Sequence, residues 1–146
     1  MGNLKQRLIK PGRDFNYAEG VKVKAGEAIA ENDILMVTSY SGPFCVVSKA
    51  DASATTTCAG RLLIAKHAIP SGGYGVALPW KLVTGIDTSA SSAAGAAVYL
   101  SDTAGAYVYS APGGGVSVVI GHVVVDDTAS AALPGAILFC TDMGRS

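Results

Sequence analysis

The chain has 146 residues with equal numbers of basic and acidic side chains, and 49% of its residues are hydrophobic. This length is typical of one domain and allows a buried core without disulfides or metal. The sequence has no run of about 20 apolar residues, so we expect no membrane-spanning helix, and its first residues lack the apolar segment of a secretory signal.

Charge is unevenly distributed along the chain. Four basic residues precede the first acidic one: Lys5, Arg7, Lys10 and Arg13. Residues 82–144 contain aspartates but no lysine or arginine. We expect residues 1–20 to form an extended basic arm that contacts an acidic partner or another copy through these four side chains. A solvated arm without a binding role is the alternative.

From residue 21 onward, short apolar runs alternate with turn residues. In chain order the runs are 33–40, 44–48, 61–69, 74–86, 97–101, 106–110, 116–125 and 135–141. They are rich in Val, Ile, Tyr and Phe and bounded by Gly, Pro, Asp and Ser, which is typical of β-strands. The best helical candidate, the Ala- and Ser-rich stretch 89–98, is short and interrupted. The sequence predicts an all-β protein, a small β-barrel or β-sandwich (β-tulip-like), with one domain over 21–146.

Residues 23–37, "VKAGEAIAENDILMV", form a compact two-turn unit in which Ile29 is expected to point inward. The same spacing occurs in biotinyl- and lipoyl-carrier domains. Those carriers present a modifiable lysine at a hairpin tip between small or apolar residues, and Lys49, Lys66 and Lys81 have no such surroundings. The unit is therefore interpreted as a structural element rather than as a carrier site.

Candidate catalytic side chains are few. His122 lies in an almost wholly apolar run, which favours packing or a single hydrogen bond over a role as a base. His67 has no carboxylate nearby in sequence, and no serine lies in a G-x-S-x-G pattern. Asp126 and Asp127 are adjacent and followed by Thr128, which indicates a turn rather than a pair of converging carboxylates. We predict no catalytic residue, no cofactor and no metal, and hence no enzyme.

Cysteine usage indicates a reducing compartment. Cys45, Cys58 and Cys140 are odd in number and share no close spacing, which is typical neither of a disulfide framework nor of a zinc site. Cys45 and Cys140 lie in strand-like runs, where cysteine usually packs as a small hydrophobe.

Three aromatic residues are candidate partner contacts. Tyr107 and Tyr109 are two residues apart and share one face of a strand, while Trp80 follows Pro79 in a run that the proline places at a sheet edge or bulge. Trp80 is either an interface anchor or a core residue. Because the tyrosines lie far from the basic residues, the pattern suits a protein contact better than a nucleic-acid platform.

The segment 85–139, which includes the phrase "GAAVYLSDTAGAYVYSAPGGGVSVVIGHVVV" (95–125), resembles the C-terminal part of tailed-phage capsid decoration, or cement, proteins. Those proteins carry a pattern of the form G-x-x-V-Y-L/W-s-x-x-a-G-x-x-t followed by v-x-v-I/V-G. The matching positions are Gly95, Val98, Tyr99, Leu100, Gly105, Ile120 and Gly121. The resemblance extends loosely over residues 20–140, although Asn32-Asp33 stands where the family has a Gly-Asp step.

This resemblance implies a small β-barrel that binds the major capsid protein on the outside of an assembled head and stabilises it. It further implies a homotrimer at local three-fold positions, synthesis in the bacterial cytoplasm and a final location on the virion exterior. No nucleic acid, membrane or small-molecule substrate is expected as a partner. Two alternatives stay open: another virion component such as a tail or fibre module, which usually shows internal repeats that we do not find in the sequence, and a small ligand-binding barrel.

Overall fold

The computed structural model describes residues 20–91, 93–126 and 135–141; most of the predicted basic arm lies outside these ranges. The ten strands are β1 (Val21–Ala25), β2 (Ile34–Ser41), β3 (Phe44–Lys49), β4 (Leu62–Ala65), β5 (Tyr74–Leu78), β6 (Trp80–Ile86), β7 (Ala97–Leu100), β8 (Tyr107–Val108), β9 (Val119–Val125) and β10 (Gly135–Cys140). One 3₁₀ turn, Thr55–Thr57, is the only helical element of the described residues. The all-β prediction is confirmed.

The strands form two sheets. Strands β1 to β5 close into a barrel in the order β1-β3-β2-β4-β5, and β6 to β10 form an open five-stranded sheet in the order β6-β10-β9-β7-β8. Closure pairs every barrel strand on both sides, whereas the second sheet ends at β6 and β8. We refer to these two units as the barrel and the second sheet.

The barrel and the second sheet share a hydrophobic core. On β4, Leu63 and Ala65 point into the barrel, while Leu62 and Ile64 point out of it and pack with Ile137 and other side chains of the second sheet. Successive side chains of a strand face opposite sides, and here both sides of β4 are covered. All four residues of β4 are therefore buried. The outer side of β4 packs against the second sheet, and its inner side faces the interior of the barrel.

The barrel contains two copies of one backbone arrangement. In each copy a strand is followed by an isoleucine, then a residue with a positive φ, then the next strand. The two isoleucines, Ile29 and Ile69, exchange both backbone hydrogen bonds at 2.9 Å. The positive-φ residues are Asn32 (69°) and Gly72 (75°). Asn and Gly tolerate this conformation best. The buried position predicted for Ile29 is confirmed.

Pro79 connects the two units directly. It stands alone between β5 of the barrel and β6 of the second sheet, so the single apolar run 74–86 passes from one sheet into the other. Strand β6 pairs only with β10 and forms an edge, as the proline predicted. Because proline has no N–H, it suits the point at which a strand leaves one ladder and enters another.

Residues 50–52 link the barrel to the hairpin formed by β7 and β8. The N–H of Ala52 donates to the carbonyl of Ser101 at 2.8 Å, and the carbonyl of Ala50 accepts the N–H of Gly105 at 2.8 Å. The carbonyl of Ala52 accepts the N–H of Val116 at 2.7 Å. These bonds satisfy the backbone of a buried connection and fix the hairpin against the barrel.

Two side chains complete the junction between the units. The buried hydroxyl of Thr141 lies 2.7 Å from the carbonyl oxygen of Leu62 and 3.0 Å from that of Pro79, and it donates to this pair of acceptors. The ammonium of Lys81 donates to Asn32 Oδ1 at 2.5 Å, in the first of the two repeated turns. The second sheet is thus held to the barrel by polar contacts as well as by the shared core.

Candidate interaction surface

The second sheet has one face on the core and one face on the outside. On β10, Ile137 and Phe139 are buried, while Leu138 between them is exposed. Leu138 lies opposite Leu82 of β6 on one side and opposite His122 of β9 on the other. The side of the second sheet that carries these three residues is called the outer face below.

The outer face is unusually apolar for a surface. Trp80 is 52% exposed, Leu82 51%, Leu138 39% and Val124 49%, and Val125 beside Val124 is exposed too. Isolated exposed hydrophobic side chains are normal, but contiguous ones usually mark an interaction site. These side chains lie on three adjacent strands, so they form one patch.

The outer face also lacks charge. Strands β6 to β10 contain a single charged residue, Lys81. Its partners in the strand ladder and its hydrogen bonds place it on the barrel side: it lies opposite buried Phe139 and reaches Glu31 and Asn32. The described strands therefore place no ionised Lys, Arg, Asp or Glu on the outer face.

Of the three aromatic residues predicted as contacts, Trp80 alone belongs to this patch. Tyr107 and Tyr109 do share one face, with ring centroids 5.8 Å apart, but that face packs on the core. Tyr107 lies edge-on to Phe139 at 5.2 Å, and the hydroxyl of Tyr109 donates to the carbonyl of Asp87 at 2.6 Å. These two rings mainly stabilise the chain itself. The predicted arm contacts, Lys5, Arg7, Lys10 and Arg13, lie outside the described residues.

A second exposed aromatic group lies on the barrel and differs in character. Phe44 and Tyr74 are in ring contact at 4.7 Å, and the ammonium of Lys24 lies 5.9 Å from the centre of the Tyr74 ring. Tyr40 of β2 is 77% exposed. Because the charged side chain of Lys24 lies over one of these rings, this surface combines aromatic and charged groups.

The two histidines occupy different settings. The neutral ring of His67 carries its proton on Nδ1, because its Nε2 accepts the N–H of Val76 at 3.2 Å while Nδ1 donates to the carbonyl of Ala68 at 3.0 Å. His122 is half-buried on the outer face, between Leu138 and Ala97. The structure thus keeps the two rings in separate units of the fold.

The acidic and thiol groups also stay apart. The carboxylate of Asp51 accepts hydrogen bonds from the hydroxyl and the N–H of Ser53, and the hydroxyl contact lowers the pKa of this carboxyl below its usual value.

Within the described ranges, no three His, Cys, Asp or Glu side chains gather in a way that would hold a metal. The three cysteines form no disulfide; Cys58 is buried, while Cys45 and Cys140 are half-buried.

No helix in the described part of the chain has the length and hydropathy that crossing a bilayer requires.

A small open depression lies beside the β7–β8 hairpin, lined by Asp102, Ser110 and Pro112 among others. Its lining residues carry short side chains.

Comparison of the chain with protein-family models, with curated proteins and with solved structures finds no significant match.

Sequence reasoning left Trp80 open between an interface anchor and a core residue, and it missed the other members of the outer face. Leu82 and Leu138 looked like ordinary strand residues, because a strand buried on both faces and a strand with one exposed apolar face have the same composition. A usable signal was present: five strands in succession carry one charged residue between them, too few to cover a solvated face.

Proposed function

We propose that this chain is a structural protein of a tailed-bacteriophage particle, a capsid decoration protein. In this proposal it binds the outer surface of the head, contacts the major capsid protein and stabilises its lattice. The observation that carries the proposal is the outer face, an uncharged apolar sheet surface on the described strands β6, β10 and β9. Such surfaces in soluble proteins mark protein contacts.

The resemblance noted in the sequence supports the same proposal. The phrase at 95–125 forms β7, β8 and β9, which belong to the second sheet and therefore to the unit that displays the outer face. Cys45, Cys58 and Cys140 form no disulfide, which suits synthesis in a reducing cytoplasm. A final location on the capsid exterior and a trimer at local three-fold positions are parts of the proposal.

The direct experiment mixes the purified chain with expanded, undecorated heads of the phage that encodes it. Co-sedimentation at a saturating ratio of three copies per local three-fold position would support decoration. Heads stripped of the protein should also lose resistance to heat or chelator and regain it on addition. If the chain binds tails or fibres instead of heads, the proposal of decoration is wrong and the alternative virion role replaces it.

The basic arm allows a sharper test of how the chain docks. Deleting residues 1–13 removes Lys5, Arg7, Lys10 and Arg13. If these side chains contact an acidic head surface, the deletion lowers head affinity and flattens its dependence on salt, because charge pairing at a rim is screened by ions. A variant that replaces only these four residues with serine is the matched control for chain length. Unchanged affinity and salt dependence in both variants would contradict a binding role for the arm.

A further inference from the structure

We infer that the free edge of β6 is a binding site for one extended strand, and that its occupant is a segment of the same chain, residues 14–18. These residues lie outside the described ranges. The inference concerns a pairing within one chain and leaves the outer face unused. It therefore depends neither on the proposed function nor on contacts between copies.

The backbone groups of β6 are arranged to accept a further strand. The N–H of Thr141 donates to the carbonyl of Pro79 at 3.1 Å, where the ladder between β10 and β6 begins. Opposing residues of an antiparallel pair alternate between bonded and non-bonded positions, so from Pro79 onward every second residue of β6 bonds to β10. The residues between them direct their N–H and C=O groups away from β10, to the free edge: Trp80, Leu82 and Thr84.

Edge strands of native proteins are usually protected by charge, by a bulge or by a covering segment. The one lysine of β6, Lys81, donates to Glu31 and Asn32 at the barrel and does not protect this edge. The bulge at Gly85, which has a φ of 72°, lies at the far end of β6 and leaves residues 80–84 in regular register. Among the described residues no strand pairs with this side of β6, so one more strand can be added there.

The N-terminal segment enters the described part of the chain close to this edge. Gly20 packs on the end of β5, since a Cβ added to it would lie 2.6 Å from Cδ2 of Leu78. Pro79 alone separates Leu78 from the first residue of β6, Trp80. Ala18 is two residues from Gly20, just as Trp80 is two residues from Leu78. The segment that ends at residue 18 therefore starts beside the beginning of β6.

The side from which the segment enters also matches. Strand β5 has β4 on one side and β1 on the other. The hydroxyl of Thr141, directly after β10, donates to the carbonyl of Leu62, the first residue of β4. Strand β10 thus lies on the β4 side of the run 74–86, and the free edge lies on the side that carries β1. Gly20, with a φ of 86°, allows the chain to bend where the neighbouring run bends at Pro79.

The sequence of the segment is typical of a strand. It reads DFNYA, in which Phe15 and Tyr17 alternate with polar or small residues, between the turn residues Pro11-Gly12 and Gly20. Five extended residues span about 17 Å, the length that residues 80–84 offer. Because residue 18 is the end nearest Gly20, the pairing with β6 is antiparallel.

The covalent link favours this segment over a strand from another molecule. Glu19 is the one residue between the segment and Gly20. A tether this short gives the segment an effective concentration of about millimolar or more at the edge, which another chain does not reach in dilute solution. The added strand would extend the second sheet in its own plane and leave the outer face open.

The experiment is amide hydrogen exchange of the full chain, followed by NMR at two protein concentrations. The amides of Leu82 and Thr84 report on the free edge, while those of Lys81 and Val83, which bond to β10, are internal controls. Deleting residues 1–18 removes the segment. Deleting residues 1–13 is the matched control, because it shortens the chain and leaves the segment in place.

We expect the amides of Leu82 and Thr84 to exchange at least about tenfold more slowly in the full chain and in the 1–13 deletion than in the 1–18 deletion, because a bonded amide must open before it exchanges. Equal rates in all three proteins overturn the inference. So does a change shared equally by Lys81 and Val83, which would report a loss of sheet stability. Protection that disappears on dilution overturns it too, since the strand would then come from another copy.

Proline variants test the pairing in the chain at full length. Phe15→Pro and Asn16→Pro are adjacent, so one of them removes an N–H that faces β6 and the other removes one that faces away. The first should lose most of the protection of Leu82 and Thr84, and Asn16→Ser is the matched control that retains it. Wild-type protection in both proline variants overturns the inference. All these measurements use the chain alone, so a failure to bind heads would remove the proposed function and leave this inference standing.

Discussion

The barrel and the second sheet differ in how the backbone hydrogen-bonding groups of their strands are paired. The barrel closes on itself and leaves no free edge, and its outside carries charged side chains such as Lys22, Lys24 and Lys66. The second sheet stays open, with one face on the shared core and the other apolar and uncharged. Every barrel strand is therefore paired on both sides, whereas the second sheet ends in the edge strands β6 and β8 and exposes an apolar, uncharged face.

The sharpest test of this contrast compares two neighbouring residues of β10. Phe139→Ala should destabilise the chain by about 3–5 kcal/mol, because Phe139 is fully buried and contacts the ring of Tyr107. Leu138→Ala should change the free energy of unfolding by less than about 1 kcal/mol, since Leu138 lies on the outer face. Urea unfolding at low protein concentration, where association is negligible, measures both. Similar losses for the two variants would mean that the second sheet is covered on both faces.

The next prediction concerns the junction between the barrel and the second sheet, where the hydroxyl of Thr141 makes hydrogen bonds. Thr141→Val keeps the shape of the side chain but removes the donor that serves the carbonyls of Leu62 and Pro79. We expect a loss of about 1–3 kcal/mol, chiefly from the carbonyl of Leu62, since the carbonyl of Pro79 keeps the backbone N–H of Thr141 as a donor at 3.1 Å.

Thr141→Ser is the matched control, because it retains the hydroxyl and removes one methyl group. It should be clearly more stable than Thr141→Val in the same thermal or urea unfolding experiment. If serine is the more damaging replacement, packing rather than hydrogen bonding holds the junction at this position.

A smaller effect is expected at Lys81, the one charged residue of the second sheet. Its ammonium donates to Glu31 Oε1 at 3.2 Å, to Asn32 Oδ1 and to the carbonyl of Lys66. Lys81→Met keeps the aliphatic stem and should lower the free energy of unfolding by about 1 kcal/mol.

The same variant should accelerate amide hydrogen exchange locally, at the turn 31–33, if Lys81 holds that turn against the second sheet. Glu31→Ala removes only the outermost of the three contacts and is the control. Unchanged exchange at 31–33 in Lys81→Met would show that the turn is held by its own backbone, including the left-handed Asn32.

How much of the fold and of the outer face the sequence could predict depends on how far apart in the sequence the interacting residues lie. Strand positions follow from local alternation and turn residues, and the runs at 44–48 and 97–101 agree with β3 and β7 to within a residue. The edge position of β6 followed from Pro79. The direction in which each strand faces did not follow, because it is set by which sheet packs on which: Tyr107 turned out to pack on the core and Trp80 to lie outside.

Two features required the three-dimensional structure altogether. The equivalent turns around Ile29 and Ile69 share a short A-x-x-A-I pattern at 25–29 and 65–69, but their common backbone arrangement shows only in the structure, where Asn32 and Gly72 meet the same positive-φ requirement with different residues. The outer face is assembled from β6, β9 and β10, whose order in the sheet differs from their order in the chain. Long-range strand pairing of this kind leaves no local signature in a single sequence.

The smallest expected effect concerns Asp51, in the connection that joins the barrel to the hairpin. Hydrogen bonds from Ser53, above all from its hydroxyl, hold the pKa of Asp51 below that of the unfolded chain. A lowered folded-state pKa stabilises the fold at pH values above the unfolded pKa, near 4, and this contribution disappears as the pH falls through the folded pKa. Ser53→Ala should therefore cost at most a few tenths of a kcal/mol at pH 7, since the site is solvated, and less as the pH falls below 4. Unfolding curves of wild type and Ser53→Ala that stay equally far apart from pH 7 to pH 3 would show that Ser53 acts on the turn itself and not through the charge of Asp51.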